Sequence, residues 1–74
     1  MNAEEFATEF VNDFQENLKN KNINLETNSF YFSKSVYNED EDLKVLKKKL
    51  NEIGYDLILD SIENEDKFWK VIKL

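Results

Sequence analysis

The sequence predicts an α+β domain whose elements follow the order helix, strand, helix, strand, strand. Three observations predict this class. Apolar residues recur every four positions near the N-terminus, a second helical pattern fills the middle of the chain, and two runs rich in aromatic and β-branched residues close it. With 74 residues, residues 1–74 are expected to form a single domain with one small core.

Residues 2–20 are predicted to form the first helix. Asn2 is the expected N-cap, and Glu5, three residues later, completes a capping box. The apolar stripe of this helix is spaced by four residues and consists of Phe6, Phe10, Phe14 and Leu18. A stripe with this spacing indicates core packing rather than a ligand cavity.

The first strand carries the run Phe30-Tyr31-Phe32. Because side chains alternate along a strand, Phe30 and Phe32 are expected to point inward and Tyr31 to the other face. This parity requires the strand to begin near residues 26–27, with a bulge at residues 28–29.

Residues 38–53 are predicted to form the second helix. Asn38 and Glu41 make a second capping box, and Gly54, the only glycine, lies where a left-handed residue ends a helix. One buried face is expected to contain Leu43, Leu46, Leu50 and Ile53.

Residues 55–62 and 67–74 are predicted to form a hairpin whose connection is the polar run 63–66. A right-handed crossover makes the first two strands parallel. If the third strand lies between them, the sheet has three strands in the order 1-3-2 with the C-terminal strand central, which is half-ferredoxin-like with two packing helices. Either the helices cover opposite faces, or one face stays open and exposes an apolar patch that consists of Tyr31, Ile58, Ile62 and Trp69.

The composition excludes several kinds of chemistry. The chain has no Cys, His or Arg, which excludes thiol nucleophiles, histidine bases and bidentate phosphate clamps. The net charge is −6, which disfavours direct binding of nucleic acid and favours a basic protein surface as partner. Acidity for solubility alone is the alternative.

Two carboxylate groupings suggest chemistry but have simpler interpretations. Residues 38–42 alternate oxygen side chains as in a calcium loop, yet Leu43 and Lys49 stand where an EF-hand needs Gly and Glu. Asp56 and Asp60 resemble an acid-base pair, but charges on an edge strand that discourage aggregation explain them. We therefore expect no enzyme, no cofactor and no metal site. The chain shows neither a signal peptide nor an apolar run long enough to span a membrane, so a cytoplasmic location is expected.

The C-terminal part resembles the regulator of ribonuclease activity B family. The resemblance covers roughly residues 29–74 and rests on a hydrophobic Phe-Tyr-Phe strand, a helix that ends in Gly54-Tyr55, and a closing strand with Trp69 and Val71. It implies a compact, acidic, ferredoxin-like α+β domain that inhibits ribonuclease E by protein–protein contact. The chain lacks the long acidic tail of that family, and the matching positions are fold determinants, so no binding residues are carried over.

The resulting hypothesis is a small, acidic, non-enzymatic regulatory module that binds the basic surface of a protein partner, with a nuclease as the candidate partner. The expected partner-binding residues are Tyr31, Glu39, Asp40, Glu41, Asp42, Glu63, Glu65, Asp66 and Trp69. One alternative is an inhibitor that mimics nucleic acid, or an immunity protein for a toxin. A second alternative is a structural homodimer joined through an open sheet face.

Overall fold

The computed structural model describes residues 2–25, 30–35, 39–64 and 66–74. Its elements are α1 (Ala3–Lys19), β1 (Phe30–Ser35), α2 (Glu39–Glu52), β2 (Tyr55–Glu63) and β3 (Asp66–Lys73). Both helices and both C-terminal strands lie within one residue of the predicted boundaries, because capping and hydrophobic period are local signals. The predicted start of the first strand and its bulge lie outside the described residues.

The ends of α1 follow known capping motifs. At its N-terminus, the Glu5 N–H donates to Asn2 Oδ1 at 2.8 Å, which confirms Asn2 as the N-cap. At its C-terminus, the Asn22 N–H donates to Asn17 O and the Lys21 N–H to Leu18 O. These two bonds form a Schellman motif in which Lys21, at φ 60°, occupies the left-handed position that glycine usually fills.

The end of α2 leads directly into the hairpin. Gly54 has φ 90°, as predicted for the residue that ends this helix. Its carbonyl accepts the Leu74 N–H at 3.0 Å, so the turn after α2 also holds the last residue of the chain. The predicted N-cap of α2, Asn38, lies outside the described residues.

The sheet has the strand order β1-β3-β2, and β3 is antiparallel to both neighbours. Glu63 pairs with Asp66, so the hairpin loop contains two residues rather than the predicted four. Asn64 adopts φ 56°, which suits a two-residue loop because these loops favour left-handed residues. The pairing shifts between Leu59 and Ser61, which identifies a bulge at Asp60.

The predicted fold class requires a correction. The core residues that the structure describes all lie in α1, α2, β2 or β3. Within the described residues, the packed unit is therefore two helices on the two-stranded antiparallel hairpin of β2 and β3, which corrects the predicted half-ferredoxin-like layer of three strands. β1 contributes backbone pairing along β3, while its side chains lie outside the described residues.

Both helices pack against the same face of the hairpin. One cluster joins the two helices to the two strands, and its buried members are Ala7, Val11, Phe14, Leu43, Leu46, Leu50, Leu57 and Val71. Lys49 of α2 also forms an ion pair with Glu4 of α1, and this hydrogen bond raises the pKa of Lys49. Of the two arrangements that the sequence allowed, the structure therefore has both helices on one face.

Candidate functional site

A polar cluster closes the outer edge of β2 where the strand follows α2. Lys47 Nζ donates to Asp56 Oδ1 and to Leu57 O, while Asn51 Nδ2 donates to Asp56 Oδ1 and to Tyr55 O. The hydrogen bonds from Lys47, Asn51 and the Leu57 N–H lower the pKa of Asp56 to about 2. A carboxylate held ionised by three donors suits a structural role, because a general base needs a pKa near the working pH.

α1 carries a concave surface that combines aromatic and acidic side chains, here called the acidic groove. It is open to solvent, has a volume of about 650 Å³ and is lined by Phe6, Glu9, Phe10, Asn12, Asp13 and Glu16. Phe6 and Phe10 are half-buried, with ring centroids 6.3 Å apart, whereas the three carboxylates are exposed. The groove therefore offers two ring surfaces beside three negative charges.

The acidic groove was not among the predicted site residues. The spacing by four predicted that Phe6, Phe10 and Phe14 all lie in the core, yet of these three only Phe14 is fully buried. Two features of the sequence could have indicated the groove. The first helix has more apolar residues than one helix face can bury. Glu9, Asp13 and Glu16 also follow the i, i+4, i+7 spacing of a single face, beside the first two Phe residues.

The predicted acidic residues of α2 lie in its first turn. Glu41 is exposed and Asp42 is half-buried, while the side chains of Glu39 and Asp40 lie outside the described part of the chain. Later in the same helix, a second concave surface of about 500 Å³ has the opposite charge. Its lining residues are Lys44, Lys47, Lys48, Asn51 and Glu52.

The predicted acidic residues of the hairpin lie at its tip. Glu63 and Asp66 are exposed and face each other across the loop. Glu65 lies outside the described residues. Three apolar residues of β2 are exposed, with Ile58, Leu59 and Ile62 at 37%, 43% and 57%.

The prediction that Tyr31 and Trp69 belong to one exposed patch is wrong, because the two residues are not paired between β1 and β3. Tyr31 pairs with Lys70, and Phe32 is the residue that pairs with Trp69. Trp69 is half-buried and packs against the core on the side of the helices. Its buried indole N–H has no hydrogen-bond partner among the described residues.

Within the described ranges, no group of three His, Cys, Asp or Glu residues is placed to hold a metal ion. Neither of the two described helices is long and apolar enough to cross a bilayer. Comparison of the chain with models of known families, with curated proteins and with solved structures finds no match.

Proposed function

We propose that this protein is a small, non-enzymatic binding module that regulates a partner by occupying a basic region of its surface. The observation that supports this proposal is the acidic groove of α1, where Phe6 and Phe10 lie beside Glu9, Asp13 and Glu16. Apolar contact and charge attraction are thus available at one place, and this combination is typical of the centre and rim of a protein interface.

The chemistry of the groove indicates its partner. Three exposed carboxylates attract Lys or Arg side chains, and the two half-buried rings accept an apolar side chain and the face of a guanidinium group. A basic amphipathic helix or loop provides both. The net charge of −6 adds a long-range attraction that speeds association with such a partner.

The resemblance to the regulator of ribonuclease activity B family adds a hypothesis about the target. We propose a nuclease as the partner and a cytoplasmic location, since nucleases present basic surfaces to their substrates. The acidic residues of α2 and of the hairpin tip, including Glu41, Glu63 and Asp66, contribute to steering in this proposal rather than to the central contact.

A binding measurement with a synthetic probe tests the groove directly. The probe is an amphipathic peptide of Lys and Leu labelled with a fluorophore, and a matched peptide of Glu and Leu is its control. The test variant combines Glu9→Gln, Asp13→Asn and Glu16→Gln. The control variant combines Glu52→Gln, Asp60→Asn and Glu63→Gln, three exposed acids elsewhere on the chain, so both variants change the net charge equally.

We expect the basic peptide to bind the wild type and to bind the groove variant roughly tenfold more weakly, since three exposed ion pairs are lost. The control variant should change the affinity by less than about twofold, through screened long-range charge alone. Equal weakening in the two variants would show that only net charge matters. Equal binding of the acidic peptide would overturn the proposal.

A second function uses the same surface. Glu9, Asp13 and Glu16 lie along one side of α1 at axial steps of roughly 6 and 4.5 Å. A row of carboxylates on one face is what mimicry of a nucleic-acid backbone requires. A peptide of Lys alone distinguishes the two functions. A mimic that uses only its carboxylates should bind this peptide as tightly as the peptide of Lys and Leu, whereas a module that also uses the rings of Phe6 and Phe10 should bind it more weakly.

A further inference from the structure

A second cleft lies at the base of the molecule, where α1 ends and the hairpin begins. This basal cleft encloses about 280 Å³ and is lined by Leu18, Lys21, Ile23, Asn24, Leu25, Tyr55 and Lys73. None of these residues lines the acidic groove, so the two sites are separate.

The floor of the basal cleft is apolar and is supported from below. Leu18, Ile23, Leu25 and Tyr55 are all half-buried and pack against the core. The Tyr55 ring meets the fully buried Phe14 edge-on, with centroids 5.0 Å apart. Because the core fixes these side chains, the cleft is formed before any ligand arrives, which lowers the cost of binding.

The rim of the basal cleft is positively charged. Lys21 and Lys73 are both exposed, and no acidic residue stands among the described residues that line the cleft. Lys73 is held in register by its pairing with Tyr55 across the hairpin. Two ammonium groups beside an apolar floor contrast with the net charge of −6 on the whole chain.

The backbone at Lys21 is a second, independent observation. Lys21 occupies the left-handed position of the Schellman motif at φ 60°. For a residue with a side chain, this left-handed conformation is strained, and glycine avoids the strain. A lysine at this position sacrifices stability and places an ammonium group at the mouth of the cleft. Strain of this kind is characteristic of binding sites.

We propose that the basal cleft binds a small amphipathic carboxylate. The carboxylate would lie between the ammonium groups of Lys21 and Lys73, and the apolar body would lie on Leu18, Ile23 and Tyr55. At ~30 Å³ for each non-hydrogen atom, the volume accommodates about nine or ten such atoms. This size fits a medium-chain fatty acid or an aromatic carboxylate.

Titration with octanoate tests the proposal, with octylammonium as the probe of equal chain length and opposite charge. The readout is the perturbation of amide resonances in a two-dimensional NMR spectrum. We expect octanoate to give saturable shifts at Tyr55, Lys73 and residues 18–25 in the millimolar range or below, as suits a ligand with about ten non-hydrogen atoms. Octylammonium should bind at least about fivefold more weakly, because each ammonium group on the rim repels it.

Two variants separate binding from folding. Lys21→Gly removes one ammonium group and relieves the left-handed strain, so it should raise the melting temperature while weakening octanoate by roughly threefold. Adding Lys73→Gln should extend the loss to roughly tenfold. The control variant combines Lys44→Gln with Lys48→Gln. It removes two charges from the concave surface of α2 and should leave the affinity for octanoate unchanged.

Opposite changes in stability and affinity for Lys21→Gly cannot come from misfolding. The proposal is overturned if octanoate gives no saturable shift or if octylammonium binds equally well. It is also overturned if the lysine variants of the basal cleft bind octanoate as tightly as the wild type does.

Discussion

The β2–β3 hairpin has a base, around Tyr55 to Leu57, and a tip, from Leu59 to the loop. Both contain leucine residues, but the two regions differ in their contacts with the helices. At the base, Leu57 is 3% exposed, and Lys47 and Asn51 of α2 satisfy carbonyls along the outer edge of β2. Two residues further along the same strand, Leu59 is 43% exposed although it pairs with Trp69. The bulge at Asp60 follows immediately.

The difference shows that the position of the helices, and not the hydrophobicity of the strand, determines burial. Leu57 and Leu59 point to the same side of the sheet because they are two residues apart. The helical layer covers the first and leaves the second largely uncovered. The base is therefore expected to carry stability, and the tip is open to contacts with other molecules.

The largest effect should come from removing each leucine in turn. Leu57→Ala leaves a cavity in the core and should lower the free energy of unfolding by about 3 kcal/mol. Leu59→Ala removes the same atoms from a half-exposed position and should cost less than about 1 kcal/mol. Urea denaturation measures both. Equal losses would show that the helical layer reaches the tip.

Gly54 tests the base from the backbone side. Gly54→Ala should lower the free energy of unfolding by about 1–2 kcal/mol, because an L-residue is strained at a positive φ. A Cβ added here meets nothing within 4 Å, so a steric clash is not the cause. D-alanine, introduced by chemical synthesis, favours positive φ and should restore the stability. A loss that D-alanine fails to restore would contradict this explanation.

Asp56 tests the polar cluster at the base. Asp56→Asn should lower the free energy of unfolding by about 1 kcal/mol at neutral pH, a value reduced for the partial exposure of the cluster. The folded pKa of about 2 lies below the ordinary value of 3.8. The contribution of Asp56 is thus complete above the unfolded pKa and is lost as the pH falls from about 4 to about 2.

The measurement for Asp56 compares denaturation of the wild type and of Asp56→Asn from pH 7 down to pH 2. The difference in free energy of unfolding between the two proteins should shrink as the pH falls. Because both proteins contain the other carboxyl groups, the effect of those groups cancels in this difference. A difference that stays constant with pH would rule out an electrostatic contribution.

The smallest effect is expected at the tip. Asn64 has φ 56°, a conformation that Asn tolerates better than most residues. Asn64→Gly should therefore change the free energy of unfolding by less than about 0.5 kcal/mol, measured by the same denaturation. A loss as large as that of Gly54→Ala would show that the tip contributes to stability as much as the base does.

Local signals in the sequence were sufficient for the ends of the helices. The Asn2 cap and the left-handed Gly54 follow from hydrogen bonds and backbone angles within a few residues of each other. The loop was predicted at four residues and has two, because the polar run 63–66 resembles a loop although Glu63 and Asp66 pair. A run of polar residues does not distinguish the solvent-exposed end of a strand from a turn.

The candidate sites were less accessible to prediction. The acidic groove depends on which Phe residues of α1 reach the core. The spacing by four does not distinguish Phe6 and Phe10 from Phe14 in this respect. The basal cleft joins Lys21 to Lys73 across the fold. Residues so far apart in sequence come together only through tertiary packing, so no short sequence motif predicts the site that they form.

The sequence by itself determined where the helices and the two hairpin strands begin and end to within one residue, because caps and hydrophobic periodicity are local signals. The tertiary structure alone decided that both helices share one face, that Phe14 is buried while Phe6 and Phe10 line a groove, and that Leu57 is covered while Leu59 is not. Burial is a property of contacts between distant segments, and a one-dimensional pattern does not contain it.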